Sequence, residues 1–208
     1  MKPYCLILYL VGVYTACGET LPYWIQPCKA TESTGCVAQD AQLAEWALEA
    51  WQRASRGRIE LQSVTLPREA RIRVYWARPQ PGQYGYAQPL LLDGKPGAEI
   101  YVRPDLDSLG PEIAEEGRKD PLFRDSILYL TCLHEIGHAL GLNHTAEFDD
   151  IMYNFTLGGD LREYFLRYRR KLKTRNDIRR ESGLSRHDVT RLNAILSVQA
   201  PQPALQPQ

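Results

Sequence analysis

Apolar residues recur along this chain with two spacings, and each spacing predicts an element. From Ala38 to Gly57, Leu43, Trp46, Ala47, Ala50 and Trp51 fall on one side of a helix, where the tryptophans can cover a sheet. In Arg58–Thr65, Ile59 and Leu61 alternate with polar residues, and in Ala70–Ala77, Ile72, Val74 and Trp76 alternate with Arg71, Arg73 and Tyr75. Both patterns predict strands with one buried face. Pro79–Pro89, rich in Pro, Gly and Gln, predicts a loop. Ala98–Val102 predicts a short strand entered through a turn at Gly94-Lys95-Pro96-Gly97.

Asp120-Pro121 interrupts the chain, and Phe123–Leu140 then reads as a long apolar helix that ends at Gly141, a residue suited to the left-handed conformation. Thr145–Thr156 is irregular. Asp160–Arg180 places Leu161, Tyr164, Phe165, Tyr168 and Leu172 on one helical face amid many Lys and Arg residues. Ser185 opens a last helix with Asp188 as its capping partner, and the tail VQAPQPALQPQ has too little apolar content to fold. Helices mixed with strands predict an α+β fold. The domain spans 38–198 and carries a basic helical insertion at 160–182. An N-terminal segment, 17–37, precedes it and a disordered tail, 199–208, follows. A chain of 208 residues has room for one such core.

The first residues change the picture of where that core begins. Lys2 is followed by an apolar run from about Tyr4 to Ala16, too short to span a bilayer comfortably, and 1–16 therefore reads as a signal peptide. Tyr14-Thr15-Ala16-Cys17-Gly18 resembles a bacterial lipobox, with Tyr14 where Leu is usual. Cys17 is thus a candidate for lipidation and membrane attachment, with plain secretion the alternative. Either way the expected location is outside the cytoplasm. Beyond the signal, Cys28 and Cys36 flank a polar loop short enough to close as a disulfide, and Cys132 reads as a buried free thiol. Lys plus Arg and Asp plus Glu both total 25, so overall charge draws the protein to neither nucleic acid nor an acidic membrane.

The chemistry is concentrated in residues 134–144, HEIGHALGLNH. His134 and His138 lie four apart on the predicted helix, project from one face, and can reach one metal ion. Gly141 ends the helix and lets the chain turn back, so that His144 supplies a third nitrogen. Three neutral imidazoles leave the full charge of a Zn2+ ion in place and one coordination position for water, which can then ionise near neutral pH. Glu135 stands beside that position as the general base. The fourth histidine, His187, reads as a solvated position on the last helix.

His134–His144, followed by Ile151-Met152-Tyr153 with Met152 eight residues after His144, resembles a metzincin zinc metalloprotease. The Met spacing and Thr145 are most similar to the matrixin branch. The resemblance covers roughly 38–197, including the closing LSRHDVTRLNAIL. It implies a twisted, mostly parallel sheet with an antiparallel edge strand, a backing helix and a zinc-binding helix. It also implies a monomeric endopeptidase with one catalytic zinc that cuts extended peptide or protein substrates. By the same resemblance Met152 forms an apolar floor under the zinc, Tyr153 and Asn154, with the residues to Thr156, line the pocket beside the cut bond, and Glu99 and Tyr101 lie on the edge strand that pairs with substrate.

The chain also departs from the family. Asn154 and Thr156 stand where matrixins commonly have Pro and Tyr. The histidines for a second, structural zinc are missing, and no latency propeptide is recognisable. An inhibitory zinc contact from Cys28 or Cys36 is the alternative to their disulfide. The basic insertion reads as a solvated helix packed on the domain, or as a grip for an acidic substrate, partner or lipid. Asp105, Asp107 and Asp149 offer carboxylates to calcium, but loop carboxylates are usually just solvated. Two other functions share these residues: a zinc-binding but inactive or latent interaction protein, and a zinc hydrolase of non-protein amides. Glu135 and the lack of a fourth protein ligand favour the peptidase over the first.

Overall fold

The computed structural model describes residues 18–29, 34–78 and 84–199. The expected signal peptide, Cys17 and nearly all of the expected disordered tail lie outside them. Five strands, β1 (Glu19–Ile25), β2 (Ile59–Ser63), β3 (Ile72–Trp76), β4 (Gly85–Leu92) and β5 (Lys95–Val102), form one sheet in the order β2-β1-β3-β5-β4. Every pairing is parallel except β4 with β5. The class is therefore α+β with an antiparallel edge strand, as expected.

The strands form where alternation predicts, with two corrections. β1 lies between β2 and β3, so the sheet begins at Glu19 and the segment 17–37 contributes one of its inner strands. Pro22 hid it, since proline cannot donate to a ladder. It is tolerated because pairing with β3 starts one residue later, at Tyr23, and the Pro22 carbonyl still accepts the Arg71 N–H at 2.9 Å. The second correction is β4, which occupies part of the expected Pro79–Pro89 loop. Asp93 (φ 51°) and Gly94 (φ 74°) make a two-residue turn that folds β4 back along β5. Lys95-Pro96-Gly97 is strand rather than turn. β4 is an edge strand, the position where Pro89 is admissible.

Helix α1 (Asp40–Ala54) packs against α3 (Pro121–Ala139), and α3 lies along β4 and β5. Leu43, Ala47 and Trp51 of α1 and Ile72, Val74, Ile100 and Val102 of the sheet are fully buried in one core with the apolar residues of α3. Each such side chain contributes roughly 1.5–3 kcal/mol of transfer free energy. The Trp51 indole N–H donates to the Leu133 carbonyl at 2.8 Å, and Arg124 grips Asp40 through two bonds of 2.7 and 2.9 Å, which fixes the register of the two helices. Asp120 caps α3 by accepting from the N–H groups of Leu122 and Phe123, with Pro121 at the first helical position. No helix among the described residues is long and apolar enough to cross a membrane.

The basic insertion is not one helix. α2 (Pro111–Lys119) precedes α3. After the zinc-motif helix come α4 (Leu161–Arg169), a turn, and one helical turn α5 (Asp177–Arg180), before α6 (Arg186–Gln199). The Asp177 carboxylate accepts the N–H groups of Lys173 and Thr174, which ends one element and starts the next. Tyr164, Phe165, Tyr168 and Leu172 are buried in the core. The arginines around them are engaged: Arg162 with Glu116, Arg167 with Asp149, Arg169 with Asp120, Arg175 with Asp125 and Arg179 with Glu49. These ion pairs hold the segment against the domain, so its apolar face is packed as the sequence pattern implied.

Candidate metal centre

Helix α3 holds His134 and His138 one turn apart on its outer face. Their ring orientations are set by backbone carbonyls. The His134 Nδ1–H donates to Ile151 O at 2.6 Å, and the His138 Nδ1–H donates to Leu142 O at 2.8 Å. With the proton on Nδ1, each ring presents a bare lone pair at Nε2. Gly141 (φ 90°) takes the chain out of the helix, and His144 returns so that its Nε2 lies 3.2 Å from that of His134 and 3.1 Å from that of His138.

The donor set fits a zinc ion. A tetrahedral zinc with bonds of about 2.0–2.1 Å sets its nitrogens about 3.3 Å apart, close to the observed spacing. The lone pairs of His134 and His138 both face His144, which has at most one proton to share between them, so the arrangement is repulsive unless a cation sits among the three. Burial lowers the pKa of His134 to about 3 and lowers those of His138 and His144 as well. The rings therefore stay neutral, the ligating form, at physiological pH. Among the described residues this triad is the one cluster of three or more metal-ligating side chains.

Glu135, next on the helix, is 6 % exposed, and burial pushes its carboxyl up to about 8. It faces β4: a Cβ added at Gly85 would stand 2.8 Å from Glu135 Oε1 and 2.8 Å from Thr131 Cγ2. Gly85 thus keeps the edge strand close to the carboxylate. Met152 is fully buried against α3, where a Cβ at Gly137 would meet its sulfur at 2.4 Å and Trp51 Cζ2 at 3.1 Å. Residues 145 and 153 close the turn that carries Met152, Thr145 N–H donating to Met152 O at 2.8 Å and Asn154 N–H to Thr145 O at 2.9 Å.

Two hollows flank the triad, and His134, Glu135 and His144 line both. One, about 560 Å³, runs between α3 and residues 153–156 to α4, where Phe155, Leu161, Tyr164 and Phe165 wall it. The other, about 530 Å³, runs along β4 past Tyr86, Ala87 and Pro89 to Asn143.

The profile of the matrixin family matches residues 19–166. The chain belongs to the matrixin family. Membership carries zinc metallopeptidase-type chemistry and implies peptide or protein substrates. A similar solved structure is the archaemetzincin of Methanopyrus kandleri, with 16 % identity and a TM-score of 0.45 over 89 % of this chain and 99 % of that one. No curated protein matches the sequence significantly.

Within this matrixin, the residues expected from sequence fall into three groups. His134, Glu135, His138 and His144 line one hollow, and Met152 packs against Gly137 of the helix that carries the first three. Tyr153 and Asn154 border the larger hollow, but the Asn154 side chain is turned to its own loop, accepting from Thr156 N–H and Oγ1–H at 3.0 and 2.7 Å. Glu99 and Tyr101 are the correction. β5 is an inner strand, hydrogen-bonded on both sides, so it cannot pair with substrate. Glu99 pairs with Arg73, and Tyr101 is stacked between Tyr75 and Tyr86. The sheet edge beside the triad is β4, and the Asp93-Gly94 dipeptide is the sequence signal that could have revealed its hairpin with β5.

Elsewhere, Cys28 and Cys36 form a disulfide and Cys132 is buried and free. Asp107 pairs with Arg118 and Asp149 with Arg167, while Asp105 Oδ1 accepts the Asp107 N–H. His187 is not merely solvated: its Nδ1–H donates to the buried Asp150 carboxylate at 2.7 Å. No sequence signal linked those two residues, which are 37 apart.

Proposed function

We propose that this matrixin is an exported zinc endopeptidase that cuts extended polypeptides, with His134, His138 and His144 as ligands and Glu135 as general base. The observation that carries the reading is the convergence of three neutral imidazole nitrogens beside a buried carboxylate that no structural metal site would need. A zinc ion held there supplies Lewis acidity to the scissile carbonyl and acidifies the attacking water. Glu135 accepts that water's proton and delivers it to the leaving amine. β4 offers its free backbone edge to an extended chain, which orients the bond over Glu135. The larger hollow, walled by Tyr153, Phe155, Leu161 and Phe165, receives a side chain next to the cut bond. The Cys28–Cys36 disulfide supports an oxidising, extracytoplasmic location, which the expected signal peptide would serve; Cys17 is the candidate anchor there.

The test is casein cleavage by the wild type beside Glu135→Gln, with zinc measured in both. The expected result is about one zinc in each, with cleavage slowed about 10²–10⁴-fold in the variant. A folded wild type that takes up no zinc, or a variant that cuts as fast as the wild type, overturns the reading.

A further inference from the structure

The turn that carries Met152 is held from outside the zinc motif by side chains that the proposed chemistry does not use. On one side stands Tyr164 of α4, which is 2 % exposed. Its hydroxyl donates to Asp150 O at 3.0 Å and lies 3.4 Å from Ile151 O. Ile151 O is the same carbonyl that receives the Nδ1–H of His134. The ring cannot drift, since Arg167 lies 4.3 Å over its face and Phe155 packs edge-on at 4.8 Å.

The other side is the start of α6. Asp150 is 2 % exposed, and its two carboxylate oxygens accept from Ser185 Oγ–H at 2.6 Å and His187 Nδ1–H at 2.7 Å. Burial alone would raise its pKa, but these hydrogen bonds outweigh burial and leave it below the ordinary carboxylate value. Asp188 completes the attachment: its Oδ2 accepts Ile151 N–H at 2.9 Å while Ser185 and Asp188 cap each other. The peptide at 150–151 is thus tied to two helices, one of them within the insertion.

We propose that Tyr164 and His187 are positioning residues that clamp residues 150–151 and, through the Ile151 carbonyl, fix the ring orientation and tautomer of His134. This rests on the triad binding zinc. A ligand imidazole is only as well aimed as the acceptor its other nitrogen bonds to, and groups that aim ligands typically contribute about 10–100-fold in metal affinity. Tyr164 also walls the larger hollow, so the clamp joins the substrate pocket to the metal centre.

The experiment measures zinc affinity with a competing chelator, and the visible spectrum of the cobalt-substituted protein, for wild type, Tyr164→Phe, His187→Ala and His187→Asn. All are taken at a temperature where circular dichroism shows each fully folded. Tyr164→Phe keeps the ring and removes only the hydroxyl, so it is expected to weaken zinc about tenfold and to shift the cobalt bands. His187→Ala is expected to weaken zinc similarly. His187→Asn, whose amide can replace the Nδ1–H, is expected to recover most of the loss. If Tyr164→Phe or His187→Ala binds zinc within about twofold of wild type with an unchanged cobalt spectrum, the contacts serve stability alone and the clamp is refuted, while zinc binding and cleavage by the wild type leave the proposed function standing. A wild type that binds no zinc overturns both.

Discussion

Gly137→Ala separates two opposite expectations. Gly137 lies in the last turn of α3, where alanine is favoured over glycine by up to about 0.8–1.0 kcal/mol, so helix propensity alone predicts a stabilised protein. The structure predicts the reverse. The new methyl would stand 2.4 Å from Met152 Sδ and 3.1 Å from Trp51 Cζ2, the first far inside contact distance. Neither neighbour has room to yield. Met152 is fully buried in a turn pinned by Thr145, and Trp51, 1 % exposed, is tied by its indole N–H to Leu133 O. Overpacking a rigid core typically costs about 1–3 kcal/mol, and a contact this short between held groups belongs at the upper end. Subtracting the helix gain leaves a loss of about 2 kcal/mol, or a fall in Tm of about 4–8 °C for a domain of this size. Calorimetry on the metal-free protein measures it directly, and Met152→Ala in the Gly137→Ala background should recover part of the loss as a favourable coupling. A Gly137→Ala protein that melts at or above the wild-type temperature would refute the view that the helix and the Met152 turn are in rigid contact.

The metal-free protein should be most stable near pH 6.5. Below that value the histidines, whose folded pKa values are lowered, take up protons in the unfolded state first, so stability falls as pH drops from 6.5 toward about 3. Above it Glu135, raised from 4.5 to about 8 by burial, still holds its proton in the folded state, and that contribution is lost as pH rises through about 8. Zinc should remove the alkaline decline, because a cation beside the carboxylate lowers its pKa; denaturant titrations at several pH values, with and without zinc, give the test, and a flat metal-free profile refutes it. Gly85→Val should slow cleavage at least about tenfold with zinc affinity unchanged, since its Cβ would displace Glu135 Oε1 from 2.8 Å away; equal kcat in the two proteins would count against the edge strand's role. Reducing Cys28–Cys36, eight residues apart, should cost up to about 2.5 kcal/mol by loop entropy, read as a lower denaturation midpoint, with zinc content the same.

What the sequence made legible was local. His134 and His138 share a helix face because the helical period brings residues four apart together, and Gly141 marks the helix end by its conformational freedom, so ligand geometry followed from spacing alone. The buried strands were equally plain wherever one face alternates, as in Ile72, Val74 and Trp76. The alternation failed where proline stood in the strand. Pro22 and Pro89 each hid one, although both sit where a missing N–H is tolerated: at the start of a ladder and on a sheet edge.

Strand order was the harder quantity, and it mattered most for function. The resemblance to the matrixins implied an edge strand that pairs with substrate, and 98–102, the one strand legible next to the zinc motif, was given that place through Glu99 and Tyr101. A hairpin turn at Asp93-Gly94 changes that strand from edge to interior without altering a residue of it, and hands the open edge to Gly85–Leu92. Gly85 then gains a meaning that no local pattern gives it, because only the folded-back strand brings it against Glu135. The same holds for Tyr164 and His187: each looks like an ordinary helix residue until α4 and α6 converge on the peptide at 150–151. The ligand set is therefore written in eleven consecutive residues, whereas the groups that aim it are drawn from across the chain. A substitution at Tyr164 or His187 should accordingly disturb the metal centre without touching the motif by which such a centre is recognised.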